Sequence, residues 1–391
     1  MKKFELPNLI NELDTLVLGF LKSYKTHKTS NKIFKIKSES DPNALFSSAK
    51  ALRDLLPGSD TGMGGIAEGR SFKIGDVVIK NPVISAPLAG ISDNTYRIFA
   101  RSFGSALTYT EMVTSYGIYY RHKKSLSLAN ITDHERPCAL QIFGSDPVII
   151  AEAAGQIENA ADIIDINMGC PVAKVLKAGS GGYLIQDEKK VEKVLAGLSS
   201  VLKKPFTVKT RIGWDRNNIN ILKIAKIAES RGASAISIHG RTVKQKFTGE
   251  VDYKLIKEVK ERIKIPVIVS GDINSPAKAK EVFEYTGCDG IMIGRAAKGR
   301  LWVFTDILLF ILGYYNRSKD TGFDPGTGWK KEFSKLYLKF LVYFKGENKA
   351  VREFRKHLSW IFRGTRGISR ARRRFFEIED MDDAENSIDN I

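Results

Sequence analysis

The chain is poor in cysteine, and it has no long apolar run. Its 391 residues include 3 cysteines, none in a Cys-x-x-Cys pair or at zinc-ligand spacing, so we expect a reducing compartment and no metal site. No run of about 18 apolar residues is present, which argues against a membrane-spanning helix. Acidic residues between Glu5 and Asp14 interrupt the start of the chain, which is not typical of a signal peptide. Together these absences predict a cytoplasmic protein that binds no membrane.

The chain has fewer acidic than basic side chains. The chain holds 62 Lys and Arg against 44 Asp and Glu, a formal net charge of +18. This balance favours a polyanionic partner, nucleic acid or an anionic membrane surface, without choosing between them. The hydrophobic share of 43% is that of a globular chain long enough for a large core and two domains. It excludes a disordered chain and a disulfide-stapled secreted module.

Composition divides the chain into three regions. Residues 1–70 combine a helix-like apolar pattern from Leu9 to Leu21 with lysine-rich and glycine-rich stretches, and we expect a mobile, solvated N-terminal extension. Residues 71–315 alternate strand and helix patterns. Residues 316–391 are predicted to form a basic helical domain, with 15 basic and 6 acidic residues between 330 and 380, and its acidic C-terminal tail is expected to fray.

The middle region predicts a parallel barrel. Eight short apolar runs, separated by helical stretches, are typical of strands: Val83–Ala86, Ala106–Thr110, Ala139–Phe143, Asp162–Asn167, Phe206–Thr210, Ala235–His239, Pro266–Ser270 and Gly290–Ile293. Alternating strands and helices predict parallel pairing with right-handed crossovers. Eight such units favour a closed (β/α)8 TIM barrel. A doubly wound open sheet is the alternative, but the first strand is followed by Ala86-Pro87-Leu88-Ala89-Gly90 rather than by Gly-x-Gly-x-x-Gly.

Side chains capable of chemistry follow these strands at one rim. They are Glu111, Gln141, Asn167, Cys170, Lys209, Arg211, His239, Arg241, Asp272 and Arg295. In this fold the active site lies at the carboxyl ends of the barrel strands, and the loops after the seventh and eighth strands commonly bind phosphate. Gly271 and Gly294 follow those two strands, where glycine lets backbone N–H groups approach an anion. With Lys209 placed for a ring carbonyl, the pattern predicts a phosphorylated aromatic cofactor, and FMN fits.

Single residues in this set have simpler interpretations. Lys209 could form a rim salt bridge, and His239 could be a half-buried histidine with its own partners. Cys138 and Cys288 lie in or beside apolar strands, as core cysteines do. Cys170 lies in a Gly-Cys-Pro turn, where a thiol can act as an acid, a nucleophile or a metal ligand, although no partner spacing supports a metal.

One segment resembles a known signature. Asp165-Ile166-Asn167-Met168-Gly169-Cys170-Pro171, followed by Lys174-Val175 and Gly179-Ser180-Gly181, is similar to the motif of the tRNA-dihydrouridine synthases. Further blocks resemble those of the family in the same order: Ala86–Gly90, Leu140-Gln141, Lys209–Arg211, Ile238–Thr242 and Ile293–Arg295. Arg355–Trp360 resembles the C-terminal helical domain of the bacterial B-type branch. The resemblance covers roughly residues 72–380.

The resemblance implies a (β/α)8 barrel that binds FMN, a helical tRNA-binding domain, and NADPH or NADH as reductant. The implied FMN contacts are Pro87, Leu88, Ala89, Gln141, Lys209, His239, Ser270, Gly271, Asp272, Gly294 and Arg295, and the implied substrate or tRNA contacts are Asn167, Arg211, Arg355 and Lys356. Leu88, Ser270 and Leu301 stand where the family commonly has Met, Asn and Pro. None of these departures removes a group that the chemistry needs.

The resemblance also implies a reaction. The C5=C6 bond of specific uridines in tRNA would be reduced to 5,6-dihydrouridine, with Cys170 as the general acid at C5. A stacked base is out of reach, so the target uridine must be extruded into the barrel mouth. Two alternatives stay open: an FMN-dependent barrel that reduces a free pyrimidine or an enone, and a non-catalytic RNA-binding protein. We expect a monomer.

Overall fold

The computed structural model describes residues 4–26, 71–312 and 322–391. Its strands are β1 Phe72–Ile74, β2 Val77–Ile79, β3 Val83–Ser85, β4 Thr108–Tyr109, β5 Val113–Thr114, β6 Cys138–Phe143, β7 Ile163–Met168, β8 Phe206–Arg211, β9 Ala235–His239, β10 Val267–Ser270 and β11 Gly290–Ile293. Its α-helices are α1 Leu6–Thr26, α2 Asn94–Ser102, α3 Ser115–Tyr119, α4 Lys123–Leu128, α5 Pro147–Ile157, α6 Ala173–Lys177, α7 Glu188–Val201, α8 Ile221–Ser230, α9 Tyr253–Lys260, α10 Pro276–Thr286, α11 Val303–Ile311, α12 Gly326–Lys345, α13 Glu347–Ile361, α14 Ile368–Phe375 and α15 Met381–Asp389. The glycine-rich stretch before residue 71 and the expected boundary at residues 315 and 316 lie outside the described residues.

The strands form a parallel barrel in chain order. Around the barrel the neighbours are β3, β4, β6, β7, β8, β9, β10 and β11, and β11 pairs again with β3. The short strand β5 extends the edge of β6. The predicted (β/α)8 barrel is confirmed, and each predicted strand begins and ends within two residues of an observed one.

The barrel closes between β3 and β4 through a short seam. Ile84 and Leu107 form an isolated parallel bridge. The Ser85 N–H donates to the Leu107 carbonyl at 3.0 Å, and the Ala106 N–H donates to the Val83 carbonyl at 2.8 Å. Strand β4 is therefore shorter than the apolar run that predicted it, because its first residues form this bridge instead of a continuous ladder.

The hairpin β1–β2 covers the N-terminal end of the barrel. Ile74 and Ile79 of the hairpin are fully buried and belong to the same apolar cluster as Ile84, Ala139 and Ala235 from the barrel strands. This packing leaves the C-terminal end of the strands as the end available to ligands, where this fold carries its chemistry.

The C-terminal helices pack on the barrel through helix α2. The ring of Phe99 in α2 lies 5.3 Å from that of Phe333 and 5.0 Å from that of Tyr337, both in α12 and both edge-on. The Lys345 ammonium at the end of α12 forms an ion pair with Asp93, which caps the start of α2. The basic helical region therefore lies directly against the barrel.

The acidic C-terminal tail is ordered in the structure. Met381, Ala384 and Ile388 of α15 are buried, and Lys335 of α12 forms an ion pair with Asp389 at 2.6 Å. The expected fraying is not observed, because α15 presents an apolar face to the helices before it.

Helix α1 is docked as well, which differs from the expected mobile, solvated extension. Leu9, Leu13, Val17 and Phe20 form a buried face along α1. Exposed Glu12 of the same helix forms an ion pair with Lys339 of α12 at 2.8 Å. The helix predicted from the apolar pattern is present, but its apolar face packs on the core instead of facing water.

Across residues 4–26, 71–312 and 322–391, every helix is too short or too polar to reach from one side of a lipid bilayer to the other.

Candidate active site at the barrel mouth

The predicted barrel residues meet at the C-terminal rim. Gln141, Asn167, Lys209 and His239 lie on β6, β7, β8 and β9, and parallel register places Asn167 beside Lys209 and Arg211 beside His239. Loops at or just after β3, β7, β10 and β11 carry the other predicted residues: Pro87, Leu88, Ala89, Cys170, Ser270, Gly271, Asp272, Gly294 and Arg295. Arg355 and Lys356 lie apart from this rim on α13.

A chain of side-chain hydrogen bonds runs beneath the mouth. The Asn167 amide donates to the Gln141 side-chain oxygen at 2.8 Å, and the Gln141 amide donates to the Asp165 carboxylate at 2.7 Å. The other carboxylate oxygen of Asp165 accepts from the Thr207 hydroxyl at 2.6 Å. At its upper end, the Asn167 oxygen accepts the backbone N–H of Cys170 at 2.9 Å. The chain therefore joins a fully buried carboxylate to the loop that carries the thiol.

Cys170 is half-buried, in contrast to the two core cysteines. Burial raises the pKa of the Cys170 thiol, and it outweighs the Val172 N–H and the charges of Arg211 and Lys209, which favour the thiolate. The thiol is therefore protonated at neutral pH. A protonated thiol suits proton donation and not nucleophilic attack or metal binding. Within the described ranges, no group of three or more His, Cys, Asp or Glu side chains is arranged to hold a metal ion.

Lys209 and His239 present polar atoms without partners. The Lys209 ammonium has no hydrogen-bond partner among the described residues, and burial lowers its pKa while the charge of Asp165 acts to raise it. Burial lowers the pKa of His239 to about 2, so its imidazole is uncharged at neutral pH. The Nδ1 atom of His239 is buried without a hydrogen-bond partner in the described structure. Orphaned polar atoms of this kind fit a ligand that supplies hydrogen-bonding atoms of its own.

The loop after β10 has an unusual backbone. Gly271 has φ of +126°, and a Cβ there would lie 3.0 Å from the Val251 side chain, so only glycine fits. The carboxylate of the next residue, Asp272, pairs with Arg241 and with Arg295 at 2.6 Å. Hydrogen bonds from Arg241 hold the pKa of Asp272 below its ordinary value. The Asp272 side chain is therefore occupied by two guanidinium groups, and its backbone N–H is the group better suited to a phosphate.

Arg211 is bound by three backbone carbonyls from two loops. Its guanidinium donates to Gly169 at 2.8 Å, to Thr242 at 2.9 Å and to Lys246 at 2.7 Å. The Phe247 ring, about half exposed, lies 5.5 Å from the Arg211 guanidinium. Arg211 thus holds the Cys170 loop against the loop after β9.

Arg355 and Lys356 also have partners within the chain. Two N–H groups of Arg355 donate to the Ile378 carbonyl. The Lys356 ammonium donates to the Gly90 carbonyl at 2.6 Å, and the Gly90 N–H donates to Glu111. Lys356 therefore joins the helical region to the loop after β3, while Arg355 holds the end of the segment after α14.

The sequence did not predict a role in ligand contact for three residues that the structure places in the site: Asp165, Arg241 and Phe247. Asp165 carried a usable signal, because it is a lone acid inside an apolar strand and a buried acid needs partners. Arg241 pairs with Asp272, 31 residues away, and no local pattern indicates this partner. Phe247 is a single aromatic residue in a polar loop, which is an uninformative pattern.

A closed barrel with a protonated thiol, an ammonium and an imidazole around its mouth has the arrangement of an enzyme. The chain belongs to the dihydrouridine synthase family, because the family model described as dihydrouridine synthase matches residues 84–391. Members of this family are oxidoreductases, so the resemblance in the sequence motifs is confirmed and the chain is an oxidoreductase.

Relatives of known name place the chain nearer to one branch. It is 38% identical over 314 residues to tRNA-dihydrouridine synthase B of Pseudomonas aeruginosa, covering 79% of this chain and 92% of that protein. It is 40% identical over 309 residues to the protein of the same name from Vibrio parahaemolyticus, covering 79% and 94%. The Vibrio cholerae protein of that name is 38% identical over 325 residues, covering 82% and 99%. The solved structure of a histamine dehydrogenase from Rhizobium sp. 4-9 covers 62% of this chain and 48% of its own at 11% identity, with a TM-score of 0.47, which is too weak to bear on function.

Proposed function

We propose that the chain reduces the C5=C6 bond of specific uridines in tRNA to 5,6-dihydrouridine, using FMN and NADPH or NADH. The observation that carries the proposal is Cys170, a half-buried thiol with a raised pKa at the barrel mouth beside Lys209 and His239. The raised pKa supports a general acid, since the group must hold its proton until the substrate needs it. The names of the relatives support tRNA as the substrate.

The residues at the rim fit FMN. The unpartnered Lys209 ammonium and the orphaned Nδ1 of His239 suit the polar edge of a flavin ring, and the buried Gln141 would add its amide. Backbone N–H groups of Gly271 and Gly294, with the Arg295 guanidinium, suit the phosphate. The remaining proposed contacts are Pro87, Leu88, Ala89, Ser270 and Asp272. Bound FMN would supply the hydride for C6 of the uracil.

The chain's own residues would then complete the reduction. Cys170 would pass its Sγ proton to C5 of the uracil. Negative charge develops on O4 before that transfer, and Lys209 would stabilise it. His239, with a pKa of about 2, would act as a neutral hydrogen-bonding group and not as a cation. Asn167 and Arg211 would hold the uracil side of the mouth, where both already fix the Cys170 loop.

The substrate would be held by the basic helical region. We assign residues 71–315 to an FMN-binding barrel and 316–391 to a tRNA-binding helical domain, with Lys356 and Arg355 at the face between them. Lys356 uses one of its three donors on Gly90, which leaves donors for a phosphate. Further exposed arginines, without an ion pair among the described residues, are Arg352, Arg363, Arg366, Arg373 and Arg374. Phosphate contacts of this kind supply affinity, while tRNA shape positions the base.

The test is mass spectrometry of tRNA nucleosides after incubation of the protein with NADPH and unmodified tRNA. We expect a gain of about two mass units on one uridine, the two hydrogens of the reduced bond. Cys170→Ala should slow single-turnover dihydrouridine formation by about 100-fold or more, as for loss of a general acid. Cys288→Ala, which removes a buried thiol, is the matched control and should keep the wild-type rate.

Other outcomes would identify the alternatives. A protein that oxidises NADPH with a free pyrimidine or an enone, and leaves tRNA unchanged, would be a small-molecule reductase. A protein that binds tRNA without turnover would be a binding protein. An unchanged single-turnover rate in Cys170→Ala would remove the acid role from Cys170.

A further inference from the structure

The hydrogen-bond chain beneath the mouth has a direction. Every donor in it points toward Asp165: the Cys170 N–H to Asn167, the Asn167 amide to Gln141, and the Gln141 amide to the carboxylate. The three distances are 2.9, 2.8 and 2.7 Å. The chain ends at Asp165 because Oδ2 of its carboxyl accepts from Gln141 and Oδ1 accepts from the Thr207 hydroxyl. Burial raises the pKa of Asp165 to about 7, and a proton on Oδ1 would still leave Oδ2 as the acceptor for the Gln141 amide.

Asp165 therefore decides how the amides are oriented. Its oxygen accepts the Gln141 NH2 group, which turns the Gln141 oxygen toward Asn167. If Gln141 were reversed, its NH2 group would face the NH2 group of Asn167, and a buried donor would lose its acceptor. Gln141 and Asp165 are 1% and 0% exposed, so water does not replace these partners. The orientation of both amides is thus linked to a buried group that does not contact the thiol, although its charge also acts on the Lys209 ammonium.

We propose that Asp165 is a positioning residue for Cys170, which it holds in place through the side-chain amides of Gln141 and Asn167. Its catalytic consequence rests on the proposed function, because it matters for turnover only if Cys170 is the acid. Its structural consequence does not, since the position of a thiol can be read from its reactivity.

The reactivity of the Cys170 thiol can be measured selectively, because the other two cysteines are buried. Cys138 and Cys288 are 0% and 3% exposed, whereas Cys170 is half-buried in a loop. Iodoacetamide should therefore label Cys170 in the folded, full-length protein, and peptide mass spectrometry gives its rate. Labelling of Cys138 or Cys288 reports unfolding, so each sample carries its own folding control.

Two variants interrupt the chain at different points. Asp165→Leu removes the terminal acceptor, and Gln141→Met removes the middle link while leaving the bond between Thr207 and Asp165. We expect Cys170 labelling to become about fivefold faster in both, the factor that goes with losing one net hydrogen bond, because the loop is freed to open. Cys138 and Cys288 should stay unlabelled.

Two further variants separate positioning from general packing. Thr207→Val removes the other hydrogen bond to the same carboxylate and should leave the Cys170 rate within about twofold of wild type. Asp165→Asn keeps an acceptor oxygen for Gln141, since the Thr207 hydroxyl can accept from the new amide, and should restore a wild-type rate. A rate in Asp165→Asn as fast as in Asp165→Leu would overturn the orientation argument.

The decisive result is the labelling rate in Gln141→Met. An unchanged or slower rate there, or in a folded Asp165→Leu, would overturn the proposal. If Asp165→Leu labels Cys138 and Cys288 as well, it has unfolded, and Gln141→Met alone decides. Failure of the proposed function is seen separately, as wild-type protein that forms no dihydrouridine whatever the labelling shows.

Discussion

The packing of helix α1 on the core can be tested by truncating one buried side chain. Phe20 is fully buried, and its ring lies 5.6 Å from that of Phe103, 5.3 Å from Phe323 and 5.2 Å from Trp329. Truncating a core phenylalanine to alanine costs about 3–5 kcal/mol, from the transfer free energy of the removed ring and the cavity left behind. We expect Phe20→Ala to lower the free energy of unfolding by up to that amount.

The docking energy of α1 sets a ceiling on this cost. A helix packed by one face can detach locally while the barrel stays folded, so a variant loses no more than the free energy that docked the helix. Urea unfolding gives the global loss, and amide hydrogen exchange across residues 6–26 shows whether α1 opens alone. Phe376→Ala is the matched control, because Phe376 is 69% exposed and its truncation should cost less than about 0.5 kcal/mol.

A small effect would contradict the packing of this helix on the core. If Phe20→Ala costs less than about 1 kcal/mol, and the amides of α1 already exchange in wild type as fast as in an unfolded chain, the helix is not docked in solution. A loss of about 3 kcal/mol with slow exchange in wild type would establish α1 as part of the core.

Three further predictions concern titratable or charged side chains. Burial lowers the pKa of His357 to about 3, so below pH 6.5 the unfolded chain takes up a proton that the folded chain does not, and stability is lost as the pH falls. Between pH 6.5 and 5 this removes about 2 kcal/mol, and His357→Gln should abolish that share in urea unfolding at the two pH values. Replacing Arg373 and Arg374 by Gln should weaken tRNA binding and reduce its salt slope by about 1 for each phosphate that is no longer neutralised, in filter binding across a salt series. Arg355→Gln should instead lower stability by about 1–2 kcal/mol, since it loses its bonds to the Ile378 carbonyl, and unchanged stability would contradict that role.

Much of the barrel was predictable because parallel strands are buried on both faces. Segments such as Val267–Ser270 and Gly290–Ile293 therefore form short, largely apolar runs that stand out from the helices between them. The docking of α1 was not predictable in the same way. Its apolar face indicates a helix with a partner, but the partner rings of Phe103 and Trp329 lie far along the chain.

In the candidate site, too, some features were predictable from the sequence and others were not. The location of Lys209 and His239 at the rim was predictable, because the fold brings the carboxyl ends of all barrel strands together. Hydrogen-bond partners were not predictable, because they depend on side-chain direction. Asp272, expected to contact the cofactor, has a carboxylate already held by Arg241, and Arg355, expected to contact tRNA, holds a backbone carbonyl. The assignments of these residues to FMN and tRNA stay predictions.

The contact between Lys356 and Gly90 bears on how such a protein could change over evolutionary time. The loop after β3 has its Gly90 N–H held by Glu111 of the barrel and its Gly90 carbonyl held by α13, while Asp93 a few residues on is paired with Lys345. A wall of the barrel mouth is thus built jointly by the barrel and the helical region. The helical region is therefore no interchangeable module: exchanging it for another would also remake a wall of the pocket, so changes in this region and changes at the barrel mouth would be inherited together.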